Sequence, residues 1–390
     1  MLHSILIQAT SISQEQTQFI VENAVSFGLM LIVASAINFV YGNARIPFLG
    51  NALPVFIGGL TVSAITTRIT FIIVEAAGVS LLPYLSDQNW VYNNEQNIHL
   101  VNGFLESNPL LCISLIMFTL LLSMVLGAVG GWLISKPALK LSSTYLMVAN
   151  LILVGLICVF GRSIVALSGG TMGVFVPDVF AFYGGERTII AVILTFLVVL
   201  GVFIIIKAAK NSPTARMLKA VQDNELTAAV LGKDIVRARG EVILLGSGLM
   251  ALAGALFAFY TSFMIEAPFH NSYWTYWPLL MILVGGLGSQ VGTFLGVGLV
   301  YGLRTLIIVF RTNIQELFFF PFSYVEDLLL ASLMLIFLIL RPGGIIREKP
   351  MCKPLVGYEL KGNRGLHGSG SAHTGSLVKM NLMSDIEQAL

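Results

Sequence analysis

Residues 188–241 read TIIAVILTFLVVLGVFIII and then KAAKNSPTARMLKAVQDNELTAAVLGKDIVRARGE, and the seam between these two halves decides the fold. The first half, 188–206, carries no charge and matches the roughly 20 apolar residues that one bilayer crossing needs. The second half, 207–241, holds 11 of the chain's 42 charged residues, seven of them Lys or Arg, and a further apolar run follows it. A charge at mid-membrane costs about 2.5–3.5 kcal/mol even on the lenient insertion scale. The island therefore stands in water between two membrane helices, and its basic excess places it inside.

Composition extends this reading to the whole chain. Of 390 residues, 56% are hydrophobic and 11% charged, against about 25% charged in soluble domains. The sequence predicts an all-α, polytopic membrane protein with about 8–10 transmembrane helices, broken or re-entrant segments included. Apolar segments fall at about 19–41, 47–78, 109–135, 144–167, 187–206, 242–262, 277–310 and 324–340. Loop 79–108 carries Asp87, Glu95 and Glu106 without Lys or Arg and is placed outside. Lys136, Lys140, the island, Arg341, Arg347, Lys349 and Lys353 are placed inside. Residues 1–18 read as an extracytoplasmic segment lacking the features of a cleaved signal, 19–347 as the transmembrane domain, and 348–390 as a flexible Gly/Ser-rich tail. The basic residues lie beside membrane segments, so the net charge of +2 implies the bilayer and not nucleic acid. Cys112, Cys158 and Cys352 are scattered and make neither a disulfide framework nor a metal site.

Parity of crossings requires an even number of passes between about 277 and 310. The stretch LVGGLGSQ at 283–290 supplies the break, since each glycine weakens a helix by about 1 kcal/mol relative to alanine. Such a break is tolerated at membrane depth only where the backbone is buried in protein or lines a cavity. The region reads as a re-entrant hairpin or two short crossings. Gly292–Gly296 and Gly298–Gly302 have the spacing that lets helices approach closely, within the subunit or with a partner. Asn38, Asn150 and Glu266 read as interhelical hydrogen-bonding or path-lining residues, hydrogen bonding coming first for the two asparagines, with Glu266 alternatively at the outer surface. Glu75 reads as the acidic residue nearest a membrane centre. Tyr273, Trp274, Tyr276 and Trp277 read as interfacial anchors.

No phosphate-binding GxxxxGK[ST], HExxH, CxxC or GxSxG occurs. Residues 246–251, GSGLMA, match GxGxxA only formally, inside a membrane run, and are assigned to helix packing. The island, by contrast, has helix grammar. Ser212 can cap and Pro213 suits a first turn, giving a helix from 213 to about 221. Asp223 or Asn224 can cap a second, at 225–231, with Glu225 in its first turn and Gly232 ending it. Ala228 and Ala229 keep one face small. An ordinary basic loop would explain the charge, and a contact-making helix pair would explain the caps and alanines as well. On the residues alone, both stay open.

Residues 218–232, LKAVQDNELTAAVLG, resemble the EAA-type cytoplasmic loop of ABC importer permeases, most closely the LivM-type branched-chain amino acid permeases, a family that also includes urea and amide permeases. Further stretches are similar to family segments in the same order: YGNARIPFLGNALPVFIGG at 41–59, LSGGTMG at 167–173, VGGLGSQVGTFLG at 284–296 and RPGG at 341–344. Together they cover about 25–347. Departures from the family pattern are Asn51 in place of a histidine, an additional Pro54, KLSSTY at 140–145 without its glycine, Thr293 in place of a proline, and an enlarged outer loop. They bear on the solute more than on the mechanism.

The resemblance implies an importer subunit that pairs with a second permease subunit, ABC ATPase subunits and an extracytoplasmic substrate-binding protein. It implies no cofactor in this chain, ATP being bound by the ATPase. ATPase coupling is assigned to Ala220, Asp223, Asn224, Glu225, Ala228, Ala229, Leu231 and Gly232. The candidate substrate path comprises the turns at Gly169, Gly170 and Thr171 and at Gly285, Gly286, Gly288 and Ser289, whose backbone groups could meet a solute. Glycines there solely for helix crossing are the alternative. The rival functions are a stand-alone secondary transporter, which needs its own buried carboxylates, and an intramembrane enzyme or scaffold, which needs convergent polar residues in the core.

Overall fold

The structure is a computed structural model. It describes residues 2–43, 46, 48–84, 86–136, 143–180, 187–223, 228, 230 and 232–309, and beyond them 328, 331, 332, 335–337, 339–341 and 343–346. Contacts divide the chain into a unit Met1–Glu348 and a second unit Lys349–Leu390, which lies outside the described residues.

Among the described residues, 7 helices are long and apolar enough to cross a membrane: Gln18–Gly42, Ala52–Ala76, Pro109–Ser135, Tyr145–Ser163, Arg187–Lys210, Ile235–Thr261 and Gln290–Val309. Helix α1 (Leu2–Ile37) runs on into a π-helical segment, Asn38–Asn43, so residues 2–18 are continuous with the first span. The second span is α2 (Ala52–Leu60), a π-helical turn Thr61–Thr66 and α3 (Thr67–Ala76). Two short helices fill the outer loop, α4 (Asp87–Tyr92) and α5 (Asn94–Glu106). Then follow α6 (Pro109–Ser135), α7 (Ser143–Ser163), α8 (Val165–Ser168), α9 (Arg187–Lys210), α10 (Pro213–Asp223) and α11 (Ile235–Thr261). A π-helical turn Ser272–Tyr276 leads into α12 (Trp277–Gly285), and α13 (Gln290–Val309) completes the order. Most of the expected segment 324–340 lies outside the described residues.

Helix α11 is the axis of the bundle: 83% of its apolar window is buried, against 39% for α6 and 33% for α9. Glycines explain how α6 and α2 come so close to it. A Cβ at Gly127 would fall 2.2 Å from that of Ala251, and one at Gly254 would fall 1.8 Å from the carbonyl oxygen of Val55. Gly246 meets Val40 and Gly248 meets the carbonyl of Met124, so the 246–251 stretch packs helices as its sequence implied. On the other side of α6, Leu110, Ile113, Met117, Leu121, Val125, Val129 and Leu133 are exposed at helical spacing, the face expected toward lipid.

At the outer end, Phe71 and Trp90 are buried together at 5.8 Å, and the Arg68 guanidinium lies 4.7 Å over the Trp90 ring. Strands β1 (Val174–Phe175) and β2 (Phe263–Met264) pair antiparallel and tie the two outer crossovers together. Arg187, opening α9, pairs with Asp178 at 3.1 Å and donates to the Tyr260 carbonyl at the end of α11.

Two local expectations change. Trp274 is not an interfacial anchor: it is 0% exposed, stacked on Phe269, with its indole N–H donated to the Pro268 carbonyl at 3.0 Å. The loop after α11 folds back over the bundle and buries the ring. Glu75 is exposed near the end of the second span and accepts a hydrogen bond from the Tyr84 hydroxyl at 2.8 Å, so it does not sit at a membrane centre.

Candidate functional site

The island builds its helix as its residues dictate. The Ser212 hydroxyl accepts from the Ala215 N–H at 3.2 Å, and Pro213 opens α10, which extends to Asp223. Leu218 and Val221 face inward and are buried. The Thr214 hydroxyl donates to Glu241 at 2.8 Å, and Glu241 also pairs with Arg237. These contacts fasten α10 to the second turn of α11, whose own start is capped by Asp234 accepting from the Arg237 N–H at 3.0 Å.

Of the second predicted helix, Ala228 and Val230 are described, and both are helical. Ala228 is buried, whereas Val230 stands 87% exposed. Gly232 takes φ +74°, the left-handed conformation that glycine enters without penalty, and Lys233 N–H closes the end on the Ala228 carbonyl at 3.2 Å. Ala220 and Asp223 lie in α10, while Asn224, Glu225, Ala229 and Leu231 lie outside the described residues.

Directly against the island sits the glycine turn between α12 and α13. Lys210, the last residue of α9, donates from Nζ to the Gly288 carbonyl at 3.0 Å. From α1, the Asn38 carboxamide accepts from the Gly288 N–H at 2.8 Å and donates to the Ser289 carbonyl at 3.0 Å and the Thr293 hydroxyl at 2.7 Å. Gly286 (φ +108°) and Gly288 (φ +84°) let the chain reverse, and α12 then packs back on α13 through Gly285, Gly292 and Gly296. The stretch after Arg341 closes the turn from outside: Ile345 and Ile346 N–H donate to the carbonyls of Val284 and Gly285 at 2.9 and 3.1 Å. The broken helix of the sequence reading is thus a hairpin, and neighbours claim the backbone groups of Val284, Gly285, Gly288 and Ser289, as burial demands.

The other candidate turn is elsewhere. Gly169 (φ +74°) and Gly170 (φ +67°) follow α8, and Gly169 lies against the Gly173 carbonyl, beside the β1–β2 pair. That pair belongs to the Arg187 end of α9, and Gly288 to the Lys210 end, about 36 Å apart by the rise of a 24-residue helix. The structure therefore does not bring Gly169, Gly170 and Thr171 together with Gly285, Gly286, Gly288 and Ser289. Asn38 and Lys210, which hold the second turn, were visible as a polar span residue and an island charge. Their partner was not, since the contacts span 251 and 78 positions.

At the outer end, Asp178 is the perturbed carboxyl. Burial raises its pKa, the Arg187 guanidinium and the Phe180 N–H pull it down, Glu106 adds a further upward push, and burial wins.

The fold defines a polytopic, all-α membrane protein in which the end of α9, opening the basic helical loop 207–241, is bonded to the glycine turn between α12 and α13. Residues 19–338 match the family described as "Branched-chain amino acid transport system / permease component", and the chain belongs to that family. It is similar to the "Probable branched-chain amino acid transport permease protein LivM" of Methanocaldococcus jannaschii, 32% identical over 335 residues, covering 84% of this chain and 93% of the relative. It is also 23% identical over 255 residues to the high-affinity LivM permease proteins of Salmonella typhimurium and Escherichia coli, covering 59% of this chain and 56% of each relative. No solved structure matches. The protein is a multi-pass cell-membrane permease, a transport component and not itself an enzyme.

Proposed function

We propose that this chain is the membrane-spanning subunit of an ABC importer for branched-chain amino acids or related small polar solutes, driven by ATPase subunits that dock on 213–232. A second permease subunit and an extracytoplasmic binding protein complete the assembly, and ATP is bound by the partner ATPase. The observation that carries this reading is Val230, an apolar side chain 87% exposed on the charged loop, two residues from a buried alanine. An exposed aliphatic group on a water-facing helix is apolar surface that a docked partner would cover. The link from Lys210 to Gly288 supplies a route by which a push on the loop moves the α12–α13 hairpin. The printed names of the relatives support the solute class.

A secondary transporter would carry a coupling carboxylate inside a span. Among the described residues, the carboxylates of the seven spans are Glu22, Glu75 and Glu241, each nearer an end of its span than its middle. The test is reconstitution with an ABC ATPase subunit from the same organism. Glu225→Lys and Ala229→Asp are each expected to abolish solute uptake and uptake-coupled ATP hydrolysis while insertion and thermal midpoint hold. Normal uptake by both variants removes the docking assignment.

A further inference from the structure

A second polar cluster surrounds the first turn of α2, and the coupling layer makes no use of it. Asn51 occupies the N-cap position of α2, where asparagine is among the favoured residues, yet its side chain makes no capping bond. The donors it would serve are otherwise engaged. The Ala52 N–H donates to the Thr275 hydroxyl at 3.3 Å, the Leu53 N–H to the Gly50 carbonyl at 3.3 Å, and Pro54 has none.

Released from that role, the Asn51 carboxamide is 0% exposed, and neither its Nδ2 nor its Oδ1 has a partner. Asn150 of α7 lies against the residue before Asn51: a Cβ at Gly50 would lie 3.4 Å from the Cβ of Asn150. Asn150 is 2% exposed, its Nδ2 is unpartnered, and its Oδ1 receives a long bond of 3.4 Å from Ser135. Ser247 of α11, also buried with an unpartnered hydroxyl, lies against Gly131 next to Pro54.

Buried side-chain polar atoms in native proteins are nearly always hydrogen-bonded. Here two buried carboxamides keep unpartnered atoms around one turn, Asn51 at the positive end of the α2 dipole and Asn150 against the preceding Gly50. The N–H groups of the helix's first turn are already spent, so recognition falls to the amides, whose unpartnered atoms are two amino groups and one oxygen, Asn150 Oδ1 being engaged by Ser135. We infer that Asn51 and Asn150 form a binding site for an oxygen-bearing group, a carboxylate or an amide carbonyl, of a small solute in transit. The words "in transit" rest on the import reading above; the site itself rests on the two asparagines.

The experiment uses the full chain in lipid nanodiscs and three probes with one isobutyl skeleton: 4-methylpentanoate, 4-methylpentanamide and 3-methylbutan-1-amine. The acid or the amide is expected to raise the thermal midpoint of the native chain, and the amine is not. Which of the two is stronger identifies the group recognised. Asn51→Leu is expected to fold with an equal or higher midpoint, because an apolar isostere removes the open groups, and to bind the effective probe at least ten-fold more weakly. Asn150→Leu is expected to do the same.

No shift with any probe, a shift with the amine equal to the others, or unchanged binding by Asn51→Leu would each overturn the site. So would an Asn51→Leu chain of lower midpoint, which would mark the carboxamide as a structural group bridged by water. L-leucine uptake by the reconstituted importer is measured separately. Uptake by the native chain with equal uptake by Asn51→Leu removes the site and leaves the import reading standing. Probe binding without leucine uptake does the reverse.

Discussion

Asp178 shows how one carboxyl at the outer end responds to opposed influences. Its folded pKa is raised, chiefly by burial, above the ordinary 3.8. A raised value means the folded chain holds the proton more tightly than the unfolded chain. The contribution is therefore fully present below about 3.8 and is lost as pH climbs through the folded value. Asp178→Asn is expected to flatten the pH dependence of the thermal midpoint above pH ~4; an unchanged slope would show that other groups set it. On the opposite face, Val230 makes the converse case, an apolar group in water. Val230→Asp should leave the midpoint unchanged, within about 0.5 kcal/mol as for surface substitutions, and should reduce ATPase association, measured by co-purification.

Elements here are set by caps and glycines more than by periodicity. Ser212→Ala removes the hydroxyl that accepts from the Ala215 N–H and is expected to cost about 0.5–2 kcal/mol of α10 stability, read as faster amide exchange across 213–223. The glycines divide into two kinds that sequence spacing does not separate. Gly254 abuts the Val55 carbonyl, so Gly254→Ala should destabilise by about 1–3 kcal/mol through overpacking. Gly298 and Gly302 have nothing among the described residues within 4 Å of an added Cβ. Gly298→Ala should therefore stabilise the chain by about 0.5–1 kcal/mol through helix propensity. Equal midpoints for the two variants would contradict the α2–α11 crossing. Of the paired glycine spacings read from the sequence, Gly292–Gly296 is an internal contact against α12, and Gly298–Gly302 is open among the described residues.

At the scale of the molecule, α9 links the two ends of the bundle, with Arg187 tied to the outer crossover and Lys210 to the inner glycine turn. Lys210→Met is expected to leave insertion and ATPase association intact while lowering uptake per ATP hydrolysed, measured in proteoliposomes. Coupling unchanged in that variant would show that the hairpin is moved by another route. The all-α class, the capped helix of the island and the break at 283–290 were all legible in the chain itself. Each follows from local physics: transfer of apolar runs into lipid, the cost of charge there, and the backbone demands of Ser-Pro and glycine. The burial of Trp274 and the exposure of Glu75 were not legible, since both depend on where a loop or helix end lies over its neighbours. The sequence by itself determined a basic helical loop set between membrane helices. Only the tertiary structure decided that this loop grips the Gly288 turn, that Asn38 holds the same turn from 250 residues away, and that the turn at Gly169 belongs to the far end. The reason is that hydrophobic patterning selects which residues enter the membrane, whereas helix partners are chosen by close glycine packing and long-range hydrogen bonds.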